Sequence, residues 1–427
     1  MLMLASCMDS ASGNGGAGSV RVALPGSSRN VSSSDRTDSY TVSLLKGGKV
    51  IESQTAVPEG AVEFNELDAG SYTVDVEATL SGALSGVGSA EVAVTEGETA
   101  SCSVLMNRVY TAAQAAERIS DNNGENWNII VAGPIDDDGL LEIAKNLKDV
   151  LTEGCISLDL GRTTGLSSIG VTKFQNCTAL SAIVLPEGIG SIDEKAFDGC
   201  TSLASVTIPD TVNEIGQFAF LNCSALKSIE IPNSVTTIAS GAFRECTALT
   251  SIEIPRGVIT IGSDSFNGCT ALESIEIPDS VTTIERAAFH GCSSLTDVYI
   301  PDSVTEIGNQ TFTNCSNLKS IVLSAGITSI AEQVFRNCTS LTSIEIPDGV
   351  SEIKSSAFMK CEVLESITIP VSVTSIETGA FVSCNKLESV KYKGLSDDWS
   401  GIAIGSNNPF ESGSGIKIIC SDNTITL

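Results

Sequence analysis

Cysteine recurs every 23 residues in this chain, at positions 177, 200, 223, 246, 269, 292, 315, 338, 361 and 384, with no slip in register. Phenylalanine stands three residues before each, from Phe174 to Phe381, and leucine three after each, from Leu180 to Leu387. One unit reads Cys223-x-x-Leu226-x-x-Ile229-x-Ile231-Pro232-x-x-Val235-x-x-Ile238-x-x-x-Ala242-Phe243. A unit this short cannot bury its own Leu, Ile, Val, Phe and Cys. Stacked units can, because each side chain then lies against its copy in the next coil, so the period predicts a solenoid. Ile229-x-Ile231 reads as a short strand with two inward side chains. Parallel pairing at about 4.8 Å would join ten such strands into a sheet about 50 Å long. Pro232 ends the strand, having no N–H for a ladder. The P-D-S-V and P-D-G-V segments suit a type I turn with proline at its second position.

Beyond the ten-rung series stand Cys7, Cys102, Cys155 and Cys420. Adjacent rungs fall within disulfide range, so distance alone does not forbid bonding. A cysteine at one identical place in every coil nevertheless behaves as a small buried apolar group, and pairing alternate rungs would break the equivalence of the coils. Buried free thiols are expected. No C-x-x-C occurs, which argues against a zinc cluster.

Lys and Arg number 24 against 52 Asp and Glu, a formal net charge of -28. That balance argues against nucleic acid and against an electrostatic hold on anionic lipid. No apolar stretch reaches the length of a transmembrane helix. The single histidine, His290, lies at a variable repeat position with no partner series and reads as a surface residue. We find no nucleophile with a paired base and no convergent carboxylate pair outside the repeat rows, so an enzyme is not expected, nor any cofactor or metal. Four N-C-[ST] sequons, at Asn176, Asn222, Asn314 and Asn337, read as by-products of the repeat.

At the amino terminus, Leu4-Ala5-Ser6-Cys7 resembles a bacterial lipobox, which makes Cys7 the candidate lipidation site. The apolar stretch before it is short and carries no Lys or Arg, pointing to a translation start further upstream. A small-residue tether follows, giving residues 1–18 an anchoring role. Residues 19–108 alternate apolar and polar residues in short runs, as an antiparallel β-sandwich does. Within them Phe64-Asn65-Glu66-Leu67-Asp68-Ala69-Gly70-Ser71-Tyr72-Thr73-Val74 resembles the F-x-x-L-x-x-G-x-Y-x-V hairpin of carboxypeptidase-regulatory-like and related immunoglobulin-like modules. The resemblance implies a tight turn at the glycine, with Tyr and Val entering the core. Gly82, Gly86 and Gly88 read as a hairpin loop. Residues 109–153 read as an α/β junction and amino-terminal cap: a helix over 112–119, a strand at 128–132 and a second helix beginning near Asp138. Asp136-Asp137-Asp138 reads as an N-cap rather than a calcium site. The polar run 121–125 reads as a turn.

The repeat C-x-x-L-x-x-[IV]-x-[IL]-P-x-x-[VI]-x-x-I-x-x-x-A-F is similar to that of BspA-like bacterial leucine-rich-repeat surface proteins, over residues 154–394. Tyr392-Lys393-Gly394, Trp399, Ile402, Ile404-Gly405 and Asn408 resemble that family's terminal cap, placed at 395–427. The expected fold is therefore mainly β: a 23-residue leucine-rich-repeat solenoid with an amino-terminal β-sandwich and a small α/β capping segment. Ser324 replaces proline in one coil, and Ser265, Thr311 and Val334 replace the Ala before Phe. The resemblance implies exposure on a bacterial surface, lipid anchoring in some members, and adhesion to host matrix proteins or other bacteria.

Two residues flanking the first Ile of each strand point outward. One row is mainly serine. The other reads Val184, Thr207, Glu230, Glu253, Glu276, Tyr299, Val322, Glu345, Thr368, Lys391. With Asp297 from the first row, Glu230, Glu253, Glu276, Tyr299, Val322 and Glu345 form the candidate ligand-binding set, an acidic strip beside an aromatic-apolar spot. The bland alternative is a solvated face. The leading functional expectation is a surface-anchored adhesin, monomeric, that binds a protein ligand through the solenoid and reaches the membrane through Cys7. A glycan-binding component of a nutrient-capture system is the alternative, weakened by the lone outward aromatic. A structural spacer is the third.

Overall fold

A computed structural model of the chain describes residues 3–5, 18–23, 39–56, 61–80, 83–95, 99–101, 104–122, 125–410 and 414–427. Cys7, Cys102, Gly82 and residues 9–17 of the tether lie outside the described residues. The chain divides into two compact units, Met1–Ala115 with Ile129–Gly133, and Ala116–Asn128 with Pro134–Leu427.

The first unit is antiparallel β. Ser39–Lys46 lies between Lys49–Ala56 and Gly70–Leu80, and Gly70–Leu80 pairs on its other edge with Ala83–Val94. A smaller sheet holds Ala61–Leu67, Gly18–Ala23 and Thr99–Ser101. Alternate residues of both sheets, among them Val20, Val22, Tyr40, Val42, Phe64, Tyr72, Val74 and Val76, meet in one core. The motif at 64–74 does not close a hairpin, because its two strands belong to different sheets. It turns a corner between them, with Glu66 and Gly70 at positive φ. The Tyr72 hydroxyl donates to Asp68 O at 2.8 Å and ties the corner to its own strand. Gly86 and Gly88 are not loop residues either. They lie within Ala83–Val94 opposite Ala78 and Val76, beside a register shift at Ala78 and Thr79, where a glycine relieves crowding at a bulge.

In the second unit, the helix Asp137–Asp149 is capped by Asp136, whose carboxylate accepts from Gly139 N at 2.8 Å. Lys173, buried, reaches Asp137 at 2.6 Å. The N-cap reading of the Asp triplet holds. Leu140, Ile143, Ala144 and Leu147 form the buried face of this helix. Strand Ile156–Thr164 then pairs in parallel with Leu180–Val184 and starts the solenoid.

Each coil has three sides. The first carries the expected Ile-x-Ile strands, which pair in parallel at 182–207, at 297–322 and from 343 to 419, where Thr424–Thr426 closes the sheet antiparallel. The continuous sheet expected here does not form. Between Thr207 and Asp297 only the isolated bridges Glu253–Glu276 and Ser274–Asp297 remain, and a further break falls between Val322 and Ser343. The second side is a set of two-residue parallel strands at the x-Ile of V-x-x-I, such as Thr237–Ile238, Thr260–Ile261 and Thr283–Ile284. The turn between the two sides places proline first, not second: Val235 N donates to Pro232 O at 3.0 Å, and Val258, Val281 and Val304 repeat the bond to Pro255, Pro278 and Pro301.

The third side is the arc around A-F-x-x-C. Its N–H groups donate forward to the next coil, Phe220 to Ala242 O and Phe243 to Ser265 O, both at 2.8 Å. Two residues per coil take the left-handed conformation there, two before the Phe and one before the Cys. The second of these explains the sequons. Asn176, Asn222, Asn314 and Asn337 have φ of 60°, 58°, 64° and 60°, and asparagine and glycine tolerate that region best.

Inside, rings from Phe174 to Phe381 stack with centroids 5.1–5.9 Å apart. The column ends on Phe410, which meets Phe381 edge-on and packs against Trp399. Asn408, buried, accepts from Phe381 N at 3.0 Å and donates to the carbonyls of Glu377 and Gly405. The cap thus meets the backbone groups that a further coil would have satisfied. The cysteines of the ladder are free and buried. Each thiol from Cys200 onward donates to a Phe carbonyl 26 residues earlier, at 2.9–3.2 Å. Cys177, with no earlier coil, reaches Ala144 O of the capping helix at 3.5 Å. Of the replacements in the Ala column, which include Lys173 before Phe174, Thr311 bonds Gly308 O at 2.7 Å, whereas the buried Ser265 hydroxyl has no partner.

Candidate functional site

The first side of the coil gives the candidate residues their positions. Within Ser228-Ile229-Glu230 the isoleucine turns inward and is buried, so strand alternation forces Ser228 and Glu230 out. The same holds for Ser251 and Glu253, for Ser274 and Glu276, and for Asp297 and Tyr299. All seven candidates are exposed, Tyr299 and Val322 each by 57%.

The structure gathers four of them. Glu276, Asp297, Tyr299 and Val322 line one open hollow of about 740 Å³ on the strand face. Ser320 contributes to its floor and donates to the Asp297 carboxylate at 2.5 Å. That bond, with a second from Thr296, holds the Asp297 carboxyl below the usual carboxylate range, so Asp297 presents a negative charge. Tyr299 pairs in register with Val322, and the two form the apolar end of the hollow. Glu253 is bridged to Glu276, and Glu230 occupies the rung beyond, extending the acidic row away from the hollow.

Glu345 does not join this group. Lys393 lies 2.9 Å from its carboxylate and 2.8 Å from Asp348, and both contacts raise the Lys393 pKa. Its charge is partly answered within the chain. The sequence rows missed Arg256, Pro278, Asp279 and Ser280, which edge the hollow from the turns after two neighbouring strands. Their signal was present in the P-R-G-V and P-D-S-V segments, but a turn's position relative to a strand face is set by coil geometry. Arg256 is the one basic side chain in the lining, against Glu276, Asp279 and Asp297.

His290 is half-buried rather than fully exposed on the surface. Its Nδ1 faces Asn267 Oδ1 and its Nε2 faces Asn314 Nδ2, each at 3.3 Å, and burial lowers its pKa. One asparagine accepts and the other donates, which suits a neutral ring bridging three coils. Among the described residues no cluster of three or more His, Cys, Asp or Glu is arranged to hold a metal ion, and no helix is long and apolar enough to cross a membrane.

The family model described as BspA type Leucine rich repeat region matches the chain in six copies, over residues 167–296 and 282–400. No curated protein matches at a significant level. Among solved structures, a leucine rich cell surface protein from Faecalibacterium prausnitzii is 31% identical, with 58% of this chain and 81% of that chain covered and a TM-score of 0.35. A leucine-rich repeat protein from Bacteroides ovatus is 25% identical, covering 63% and 85%, with a TM-score of 0.34. One from Eubacterium ventriosum is 23% identical, covering 65% and 87%, with a TM-score of 0.41.

Proposed function

Since the chain belongs to the BspA-type leucine-rich-repeat family, whose fold generally serves binding, we propose that it is a bacterial surface adhesin whose strand face captures a protein ligand on host matrix or on other cells. The observation that carries this reading is the hollow at Glu276, Asp297, Tyr299 and Val322. These side chains have no core duty, yet they combine one sign of charge with an exposed aromatic, a combination that suits a basic, partly apolar protein surface. The binding role is non-catalytic. A lipid anchor at Cys7 would hold the chain at the membrane, as an outer-membrane or other membrane-anchored lipoprotein; Met3–Ala5 pairs with Val104–Met106, so of the 1–18 segment only the small-residue part after Cys7 would serve as the spacer.

Two measurements test the reading. Pull-down with the full chain from matrix proteins and from bacterial cells should recover a protein ligand. Tyr299→Ala should then weaken its affinity more than any single glutamate change, by about tenfold or more. Changing Glu230, Glu253 and Glu276 together to Gln should slow association and flatten its salt dependence. If both variants bind the recovered ligand like the parent, the site lies elsewhere. For the anchor, Cys7→Ser expressed behind a complete signal sequence should leave the protein out of the membrane fraction and unlabelled by fatty acid. Unchanged membrane partition would remove Cys7 from the account.

A further inference from the structure

The proposed binding face leaves open what shape of basic segment it takes, and the rung spacing narrows that choice. Glu230, Glu253 and Glu276 stand on three successive rungs, followed by Tyr299 and Val322 on the next two. Among the described residues no ion pair reaches any of the three glutamates. Beside them runs a row of small exposed side chains, Ser228, Ser251 and Ser274, so the acidic row is flanked along the solenoid by side chains too short to cover it.

The coils that carry these glutamates pair in parallel on their second side, through Thr237, Thr260 and Thr283, and Glu253 is bridged to Glu276, so a ligand lying along the row must deliver one cation per rung, at about 4.8 Å. An extended peptide offers same-face side chains only every ~6.7 Å, and falls out of step by about 4 Å over three rungs. An α-helix offers one side chain per turn at about 5.4 Å, and falls out of step by only about 1.2 Å over the same three rungs. Lysine and arginine stems absorb that difference by bending. Continued over the next two turns, the same helical face reaches Tyr299 and Val322, where apolar side chains fit.

We infer that the occupant of this face is a basic amphipathic α-helix of a partner protein, laid along the solenoid axis, with cations on three successive turns over Glu230, Glu253 and Glu276 and apolar residues on the next two over Tyr299 and Val322. The inference rests on the strand face being the binding surface and adds the partner's conformation and register.

Two synthetic peptides of identical composition test it against the full chain. In one, three lysines and then two leucines are placed on one helical face, at i, i+4, i+7 and onward. In the other, the same five residues alternate as in a strand. Calorimetry should show the helical design binding about tenfold or more tightly than its isomer. Circular dichroism should show it gaining helix on the protein. The preference should vanish in the Glu230→Gln, Glu253→Gln, Glu276→Gln variant, while Tyr299→Ala should weaken the helical design alone. Equal binding of the two peptides, or tighter binding of the alternating one, overturns the helical register but leaves the acidic face as a binding surface. Binding by neither peptide overturns the inference, and the fate of the broader reading then rests on the ligand recovered from matrix or cells.

Discussion

Phe243→Ala is expected to cost about 3–5 kcal/mol, the range for deleting a core aromatic. The ring is fully buried and lies between Phe220, at 5.5 Å, and Phe266, at 5.6 Å. Its removal opens a void in the middle of a column, where neighbours on both sides are held by their own coils and cannot collapse into the space. In a solenoid each coil contacts only its neighbours, so the loss falls on two interfaces at once. Chemical denaturation of the variant against the parent measures it. A loss under about 1 kcal/mol would mean that this ring is not packed as described.

The buried thiols should make the solenoid alkali-sensitive and, below that range, chemically silent. Burial pushes Cys269 and Cys315 up to about 12 from 9.0, against the opposing pull of the backbone hydrogen bonds. The thiolate is the reactive form, so alkylation at about pH 8 should run about a thousandfold slower in the native protein than in denaturant. Among the described cysteines Cys420, only partly buried, should react first. The same shift sets a stability window. Because the folded pKa lies above the unfolded one, each such thiol contributes its full stabilisation below 9.0, and loses it as pH rises from there toward about 12. Within that window the slope is about 1.4 kcal/mol per pH unit for each thiol that ionises only on unfolding. A column of them should bring on steep unfolding above about pH 9. A denaturation midpoint that stays flat from pH 8 to 11 would contradict the buried, protonated column. Rapid native alkylation would contradict it independently, and non-reducing mass spectrometry would reveal any bond between rungs.

How much of this was legible in the sequence depends on the range of the interaction concerned. A 23-residue period fixed the solenoid, because Leu226, Ile229, Val235, Ile238, Phe243 and Cys246 can all be buried only against their copies. Strand alternation likewise fixed which residues face outward, including Tyr299 and the three glutamates, since it is a property of one strand. The cap at Trp399 and Asn408 carried its own side-chain signature.

Tertiary structure decided what depends on the relation between coils or between sheets. The corner at Gly70 looked like a hairpin because a tight turn has the same local chemistry whether its strands share a sheet or not; only pairing with Gly18–Ala23 and Ser39–Lys46 separates the two cases. The gap in the strand ladder between Thr207 and Asp297 is a relation between coils that the repeat pattern, alike in each of them, does not show. The forward hydrogen bonds of the Phe arc need the next coil to be in place. Glu276 and Asp297, 21 residues apart in sequence, meet Asp279 and Arg256 in one hollow only once strands and turns of successive coils are stacked at a common spacing. Glu345, indistinguishable from Glu276 in the repeat pattern, left that group because Lys393, two coils further on, folds back to pair with it. A repeat dictates what every coil shares, whereas the site arises where coils differ, and those differences acquire a geometry only when the coils are stacked.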